Sequence, residues 1–488
     1  MMRRRRNNNR ASTSTVPSVD FSTAEKNLWL AYGDPDILDS DNNNSYSLRR
    51  LREDVVDWAK LDGQRWFWLF LPFFCFTMYT LRQEVYTWPV IGSIERIDAS
   101  YMDKLIPSNV DIEVRAEKNI FSADGGLWVT KKGYEGDASS GYFLFSEKRE
   151  NLVLRLDNLA HTVYFRGSGC REPNSTKCLS RKEPGSNGLA LDPFSKRLLL
   201  CEHGERRVSR MESFGSKTVL SSHYKGKRLN SPNDLVISPN FDVVFSDPTD
   251  GLKGTAADAE KSEIGFQGIY RVPRRVLKSL QDKNHNNVSA TRHAQDVRTE
   301  ENTVLLSNNV SMPHGLAFSK DYKKLYVSNH DPNDAKWYQF DVIWNVDNDE
   351  VDTANNEKRK KKKKKKKRRK GGTSEYEYTQ AEVEASSGFT LSNMQEFYDF
   401  TSLHMKCLER FHDKKKCNGL PDGMAIDKHG NVYLTGPGGV HIVKSDGTLV
   451  GSVWTGIPMT NVAFGYDLLF LVSSDKILRV QSYASPIV

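Results

Sequence analysis

The sequence predicts an all-β fold, a six-bladed β-propeller, preceded by a disordered tail and a single transmembrane helix. Three observations lead there. A short unit returns six times between residues 116 and 480: a polar residue, an apolar strand, a polar turn and a second apolar strand. Little helical periodicity separates the copies. One uncharged, strongly aromatic run stands ahead of all of them.

Taken in order, residues 1–64 are rich in Arg, Asn, Ser and Asp and read as a disordered cytosolic tail. Residues 65–82 follow as a transmembrane signal-anchor. Its apolar part, Trp66 to Leu81, holds 16 uncharged residues between Arg65 and Arg82. As a helix it covers about 24 Å, short of a hydrocarbon core of about 30 Å, and its aromatic ends and flanking arginines suit the interfaces. Some 65 mostly polar residues precede it, which argues against a cleaved signal peptide. Arg49, Arg50, Arg52, Lys60 and Arg65 lie on the N-terminal side, against Arg82 and Arg96 beyond. The positive-inside rule then keeps the tail cytosolic and sends the rest to a lumenal or extracellular space. Cysteine spacing agrees with an oxidising compartment: Cys170 and Cys178, and Cys407 and Cys417, can close local loops and leave Cys201 free. Asn174, Asn287 and Asn309 are sequons there.

The propeller is expected over 110–488. Its six copies are entered at Glu117, Asn187, Asn233, His314, Asp422 and Asn461. The clearest are "SPNDLVISPNFDVVFSDP" from Ser231, "SNGLALDPFSKRLLLCEHG" from Ser186, "MPHGLAFSKDYKKLYVSNH" from Met312 and "LPDGMAIDKHGNVYLTGPGG" from Leu420. "AEKNIFSADGGLWVTKKG" and "MTNVAFGYDLLFLV" are looser. Such units cannot bury both faces alone, so they stack as blades around a channel. A β-sandwich leaves the recurring polar residue unexplained. The longest insertion, around 347–375, reads as disordered and carries 13 consecutive basic residues, Lys358 to Lys370. The formal charge of +8 less 13 leaves −5, so the basic balance resides in that loop and nucleic-acid binding is not expected.

Innermost strands line a propeller's channel, so residues at their starts meet at one mouth. Glu117, Asn187, Asn233 and Asp422 would then form a hard oxygen site for a divalent cation. Two carboxylates repel in a confined channel, and such a cation balances them. His314 reads as a wall of the channel, and Asn461 as an amide that orients Asp422. His203 of "CEHGERR" either borders the pocket or is structural, and Arg206 and Arg207 either meet an anionic product or cover the surface. Asp247 reads as a turn acceptor.

"SPNDLV…VVFSDPTDGL", "SNGLALD…CEHGERRVSR" and "LPDGMAID…GNVYLTGPGGV" resemble the gluconolactonase/regucalcin-like (SMP-30/gluconolactonase/LRE-like region) family, closest to its microbial-type gluconolactonases. The resemblance runs from about Ala116 to Val480. It implies one divalent metal ion at Glu117, Asn233 and Asp422, with Ca2+ the first choice and Zn2+, Mn2+ or Mg2+ the alternatives. It also implies contact with substrate or metal at Asn187, read here as substrate-binding together with His203, and hydrolysis of a sugar lactone such as glucono-1,5-lactone to the aldonic acid. The cation would polarise the lactone carbonyl, and Asp422 would take the proton of the attacking water. Two rival readings are an arylesterase or paraoxonase-like ester hydrolase and a non-catalytic calcium-binding lumenal propeller.

Overall fold

The structure is a computed structural model, which describes residues 88–130, 141–157, 160–170, 180–212, 215–253, 261–284, 302–345 and 387–486. The tail, the 66–81 segment, Cys178 and the basic run lie outside these residues. Among the described residues no helix is long and apolar enough to cross a membrane.

Six antiparallel sheets make six blades. Their innermost strands are Ala123–Thr130, Ser186–Leu191, Leu235–Ile237, Pro313–Phe318, Met424–Ile426 and Asn461–Phe464. Each touches the innermost strands on both sides, and the sixth touches the first, so the ring is closed. The last two blades borrow strands from the N-terminal side. Glu113–Ala116 forms the rim strand of blade six by pairing with Ile477–Gln481. Ser93–Arg96 adds a fifth strand to blade five against Leu449–Trp454. Blade edges that would otherwise stay unpaired are thereby covered.

The core lies between blades rather than within them, because each strand alternates its apolar residues across both sheet faces. Cys201, Val208 and Leu199 of blade two meet Phe245, Tyr270 and Val243 of blade three. Val440, Ile442 and Val453 of blade five meet Val462, Leu471 and Leu478 of blade six. Near the channel mouth the strands come too close for side chains. A Cβ at Gly315 would stand 2.4 Å from the Asp422 carbonyl oxygen, and one at Gly125, where φ is +54°, 2.1 Å from that of Asn187. This is the physical content of the recurring Asp-Gly, Asn-Gly and His-Gly pairs.

Second strands brace the neck with buried hydroxyls. Ser146 of blade one donates to the Asn187 carbonyl of blade two (2.7 Å), and Ser246 of blade three to the His314 carbonyl of blade four (2.7 Å). Below the neck, a channel cavity of about 520 Å3 is lined by Leu189, Leu235, Leu316 and Met424, with Asp234 and Asn461 among its polar residues. Cys407 and Cys417 are disulfide-bonded, Cys170 is disulfide-bonded to a residue outside those described, and Cys201 is free and buried.

Candidate functional site

The starts of the six innermost strands bring Asp124, Asn187, Asn233, His314, Asp422 and Asn461 to one mouth, every one of them buried. Five of these begin the copies read from the sequence. The sixth, Asp124, does not, and the copy read at Glu117 is the exception: Glu117 follows the rim strand of blade six, its side chain is 47% exposed, and it pairs with Lys476 at 3.4 Å. The reason is topological. Residues up to Ala116 belong to the closing strand, and blade one begins seven residues beyond Glu117, at Asp124-Gly125-Gly126. That Asp-Gly pair matches the other copies and was the legible signal. Glu117 therefore drops out of the expected ligand set, and Asp124 takes its place in the ring.

His314 is the centre of the charge arrangement. Its Nδ1 lies 3.1 Å from Asp422 Oδ1 and its Nε2 2.8 Å from Asp250 Oδ2. Burial alone would lower its pKa, but the Asp422 and Asp250 carboxylates reverse this and raise it to about 9. Asp250 is desolvated yet held well below the usual carboxylate range by that imidazole. The ring of His330 stacks on His314, centroids 4.2 Å apart and planes within 2°. His330 Nδ1 lies 2.9 Å from the Pro421 carbonyl oxygen and 3.8 Å from Asp422 Oδ2. Burial, then the charge on His314, lowers its pKa and keeps it neutral. His314, His330 and Asp422 each offer one ligand atom within 4.8 Å of the others, a group able to hold a metal ion.

A second cation stands opposite. The Lys148 ammonium, its side chain 12% exposed, lies 2.9 Å from Asp124 and 3.8 Å from Glu183. Burial opposes its charge, but Asp124 and Glu183 outweigh this and hold it protonated. Ser122 donates to Glu183 from the other side.

Between the two cations sits His203, 1% exposed, with neither ring nitrogen bonded among the described residues. Burial and the Lys148 charge hold its pKa near 3, so it is a neutral imidazole. The turn carrying Asp250 packs flat on it: a Cβ at Gly251 would be 2.6 Å from the His203 ring. Asn187 Nδ2 is likewise buried without a partner among the described residues.

The remaining expected residues have structural tasks. Arg206 is buried, donates to the Leu229 carbonyl (2.7 Å) and pairs with Glu263, while Arg207 pairs with Glu202. Asn461 turns its oxygen to the N–H of Val462 (2.8 Å). Asp247 accepts from the Asn230 N–H (2.8 Å), the turn contact expected of it.

Sequence reasoning missed Lys148, Glu183, Asp250 and His330. His203 and His330 share a signal, since each follows directly on the second strand of its blade. Lys148 shares it, following directly on the second strand of blade one, whereas Glu183 comes from a connecting segment and carries none.

Residues 375–475 match the family model described as SMP-30/Gluconolactonase/LRE-like region. A gluconolactonase of Zymomonas mobilis subsp. mobilis is 26% identical over 398 residues, spanning 80% of this chain and 86% of that protein. The solved structure of a gluconolactonase from Xanthomonas campestris superposes with a TM-score of 0.52 at 20% identity, covering 81% of this chain and 98% of that one. This last likeness bears on the fold.

Proposed function

The chain resembles the SMP-30/gluconolactonase/LRE-like family, and from that premise we propose that it hydrolyses sugar lactones to their aldonic acids at the mouth ring. The observation that carries the proposal is the array Asp250–His314–Asp422, buried at His314 and Asp422 and half-buried at Asp250, beside neutral His330 at the point where the blades begin. Ring opening of a lactone needs a base for water, a cationic or acidic group for the developing oxyanion, and donors that hold the sugar. The mouth supplies each class.

Asp422 is the proposed base. Asp124, the other ring carboxylate, is already engaged by Lys148, whereas Asp422 lies beside the imidazoles of His314 and His330. His314, charged between its two carboxylates, faces Asp422 and keeps that carboxylate oriented. Asn187 and His203 have unspent polar atoms for the substrate hydroxyls. Lys148 offers positive charge to the carboxylate product. A divalent cation at the cluster of His314, His330 and Asp422 would replace the proton that His314 carries in its absence and add Lewis acidity toward the carbonyl. The all-oxygen Ca2+ site expected with Glu117 loses its first ligand.

The test is pH-stat hydrolysis of glucono-1,5-lactone by the full chain, after chelation and with metal restored. Acid release above the uncatalysed rate that Asp422→Asn abolishes supports the reading. A flat trace from folded, metal-loaded protein, or faster turnover of aryl esters than of lactones, overturns it. Anchoring by Trp66–Leu81 is a separate proposal, supported by its sixteen uncharged residues. Release of the chain from membranes by alkaline carbonate would count against it.

A further inference from the structure

We propose that Asn309 carries an N-linked glycan whose first sugar sits in a groove between the rims of blades three and four. The inference is independent of the chemistry at the mouth.

Three observations carry it. First, Asn309-Val310-Ser311 is an acceptor sequence, with proline neither in its middle nor directly after it. Asn309 is exposed, two residues beyond the rim strand Val304–Ser307 of blade three, with its backbone N–H on the Ser307 hydroxyl (3.2 Å). Asn174 and Asn287 lie outside the described residues. In the folded ring the Ser311 hydroxyl, which glycan transfer requires, lies 2.8 Å from Asp331 Oδ2 and 3.1 Å from Asn329 Oδ1. Both partners are synthesised after it, so that hydroxyl is free while the acceptor sequence emerges.

Second, the chain bears the mark of an oxidising compartment. Cys407 and Cys417 are bridged, and Cys170 is disulfide-bonded. Such bridges persist where secreted chains mature, the same space in which asparagines of this pattern are glycosylated.

Third, the place for the sugar is formed by the acceptor's own surroundings. A groove of about 210 Å3, with room for one hexose ring, has Asn309 in its wall beside Leu305, Leu306, Phe340, Leu391 and Met394. It runs between Val304–Ser307 and the blade-four rim strand Phe389–Asp399. Leu305, Leu306, Leu391 and Met394 are only half-buried there, and exposed Asn308 and Asn393 stand at the edges. The C–H face of a pyranose suits that apolar floor, and its hydroxyl and acetamido groups suit the two amides. A glycan seated so also shields rim strands that would otherwise offer an edge for pairing.

In the transfer the Asn309 amide nitrogen attacks C1 of the first N-acetylhexosamine of a lipid-diphosphate-linked oligosaccharide. A C1–N bond forms as the C1–O bond to the diphosphate breaks. The nitrogen gives up one proton, and the lipid diphosphate leaves with the bonding pair.

The experiment produces the full chain in eukaryotic cells. Peptide mass spectrometry reads Asn309 before and after enzymatic release of N-glycans, together with the state of Cys407–Cys417. Asn309 should be glycosylated in chains whose bridge is closed. Asn309→Gln should lose one glycan step in gel mobility with the circular dichroism spectrum unchanged, and Ser311→Thr should keep the step. Hydroxyl-radical labelling reads the groove: Met394 should label several-fold faster once the glycan is released, while exposed Met405 serves as the unchanged control. Both readings are made on the unmutated chain, which keeps the test decisive if a variant fails to fold. An unmodified Asn309 in bridged chains, or a chain with neither bridge nor glycan, overturns the inference. A glycan at Asn309 whose removal leaves Met394 labelling unchanged overturns its seat in the groove.

Discussion

At the scale of single residues, His314 and His203 give opposite pH signatures. In the metal-free protein His314 titrates at about 9 against an ordinary 6.5, so the folded state binds more protons than the unfolded one between those values. That contribution is full below pH 6.5 and lost as pH rises through 9, and it amounts to about 3 kcal/mol. His203, held near 3, works in reverse: its neutral form is favoured by folding, and stability falls as pH drops from 6.5 toward 3. Chelator-treated protein should therefore melt highest near neutrality, and His314→Gln should flatten the alkaline limb and, by freeing Asp250 of its imidazole partner, change the acid one as well. Differential scanning calorimetry from pH 4 to pH 10 checks both limbs. Asp422→Asn keeps shape and removes charge. It should lower lactone hydrolysis by about 10²-fold or more, with the circular dichroism spectrum unchanged.

At the scale of elements, the neck and the segment feeding it can be tested separately. Gly315→Ala pushes a methyl to 2.4 Å from the Asp422 carbonyl, a backbone atom that cannot turn aside. The neck must spread, at a cost of about 1–3 kcal/mol, and Asp422 is displaced with it. Activity should fall more steeply than the melting temperature, a split that kinetics and thermal melts on one preparation will resolve. The disulfide Cys407–Cys417 ties the helix Phe400–Phe411 to the segment that enters blade five just before Asp422. Replacing both cysteines by Ser should cost about 2–3 kcal/mol, read as a lower denaturation midpoint.

The elements also explain what was legible beforehand. Apolar–turn–apolar repeats with a polar start encode blades directly, because pleat alternation and ring packing impose the same pattern on each. Asn187, Asn233, His314, Asp422 and Asn461 were readable for that reason. Glu117 was misread because a rim strand and an innermost strand adjoin in sequence, and the looser first copy blurred their boundary. Glu183 and Asp250 reach the mouth from connecting segments whose position depends on how blades stack, which no repeat spacing records.

At the scale of the whole molecule, the ring is closed by strands distant in sequence. Glu113 of the rim strand faces Arg479 across the seam, 366 positions later, in an ion pair of 2.6 Å. Ending the chain at Lys476 would remove Ile477–Gln481 and leave Glu113–Ala116 without its partner strand. Such a chain should lose cooperative unfolding and become a protease substrate along its whole length, which limited proteolysis will report. The same seam sets a schedule for biosynthesis. At about 5–20 residues per second, the ribosome needs roughly 20–70 s to travel from one half of the clasp to the other. Through that interval the nascent chain carries an early strand that nothing yet made can accept, and five completed blades cannot shut. Closure waits for the last blade, and the waiting strand is the segment that a folding helper in the host cell would have to shield.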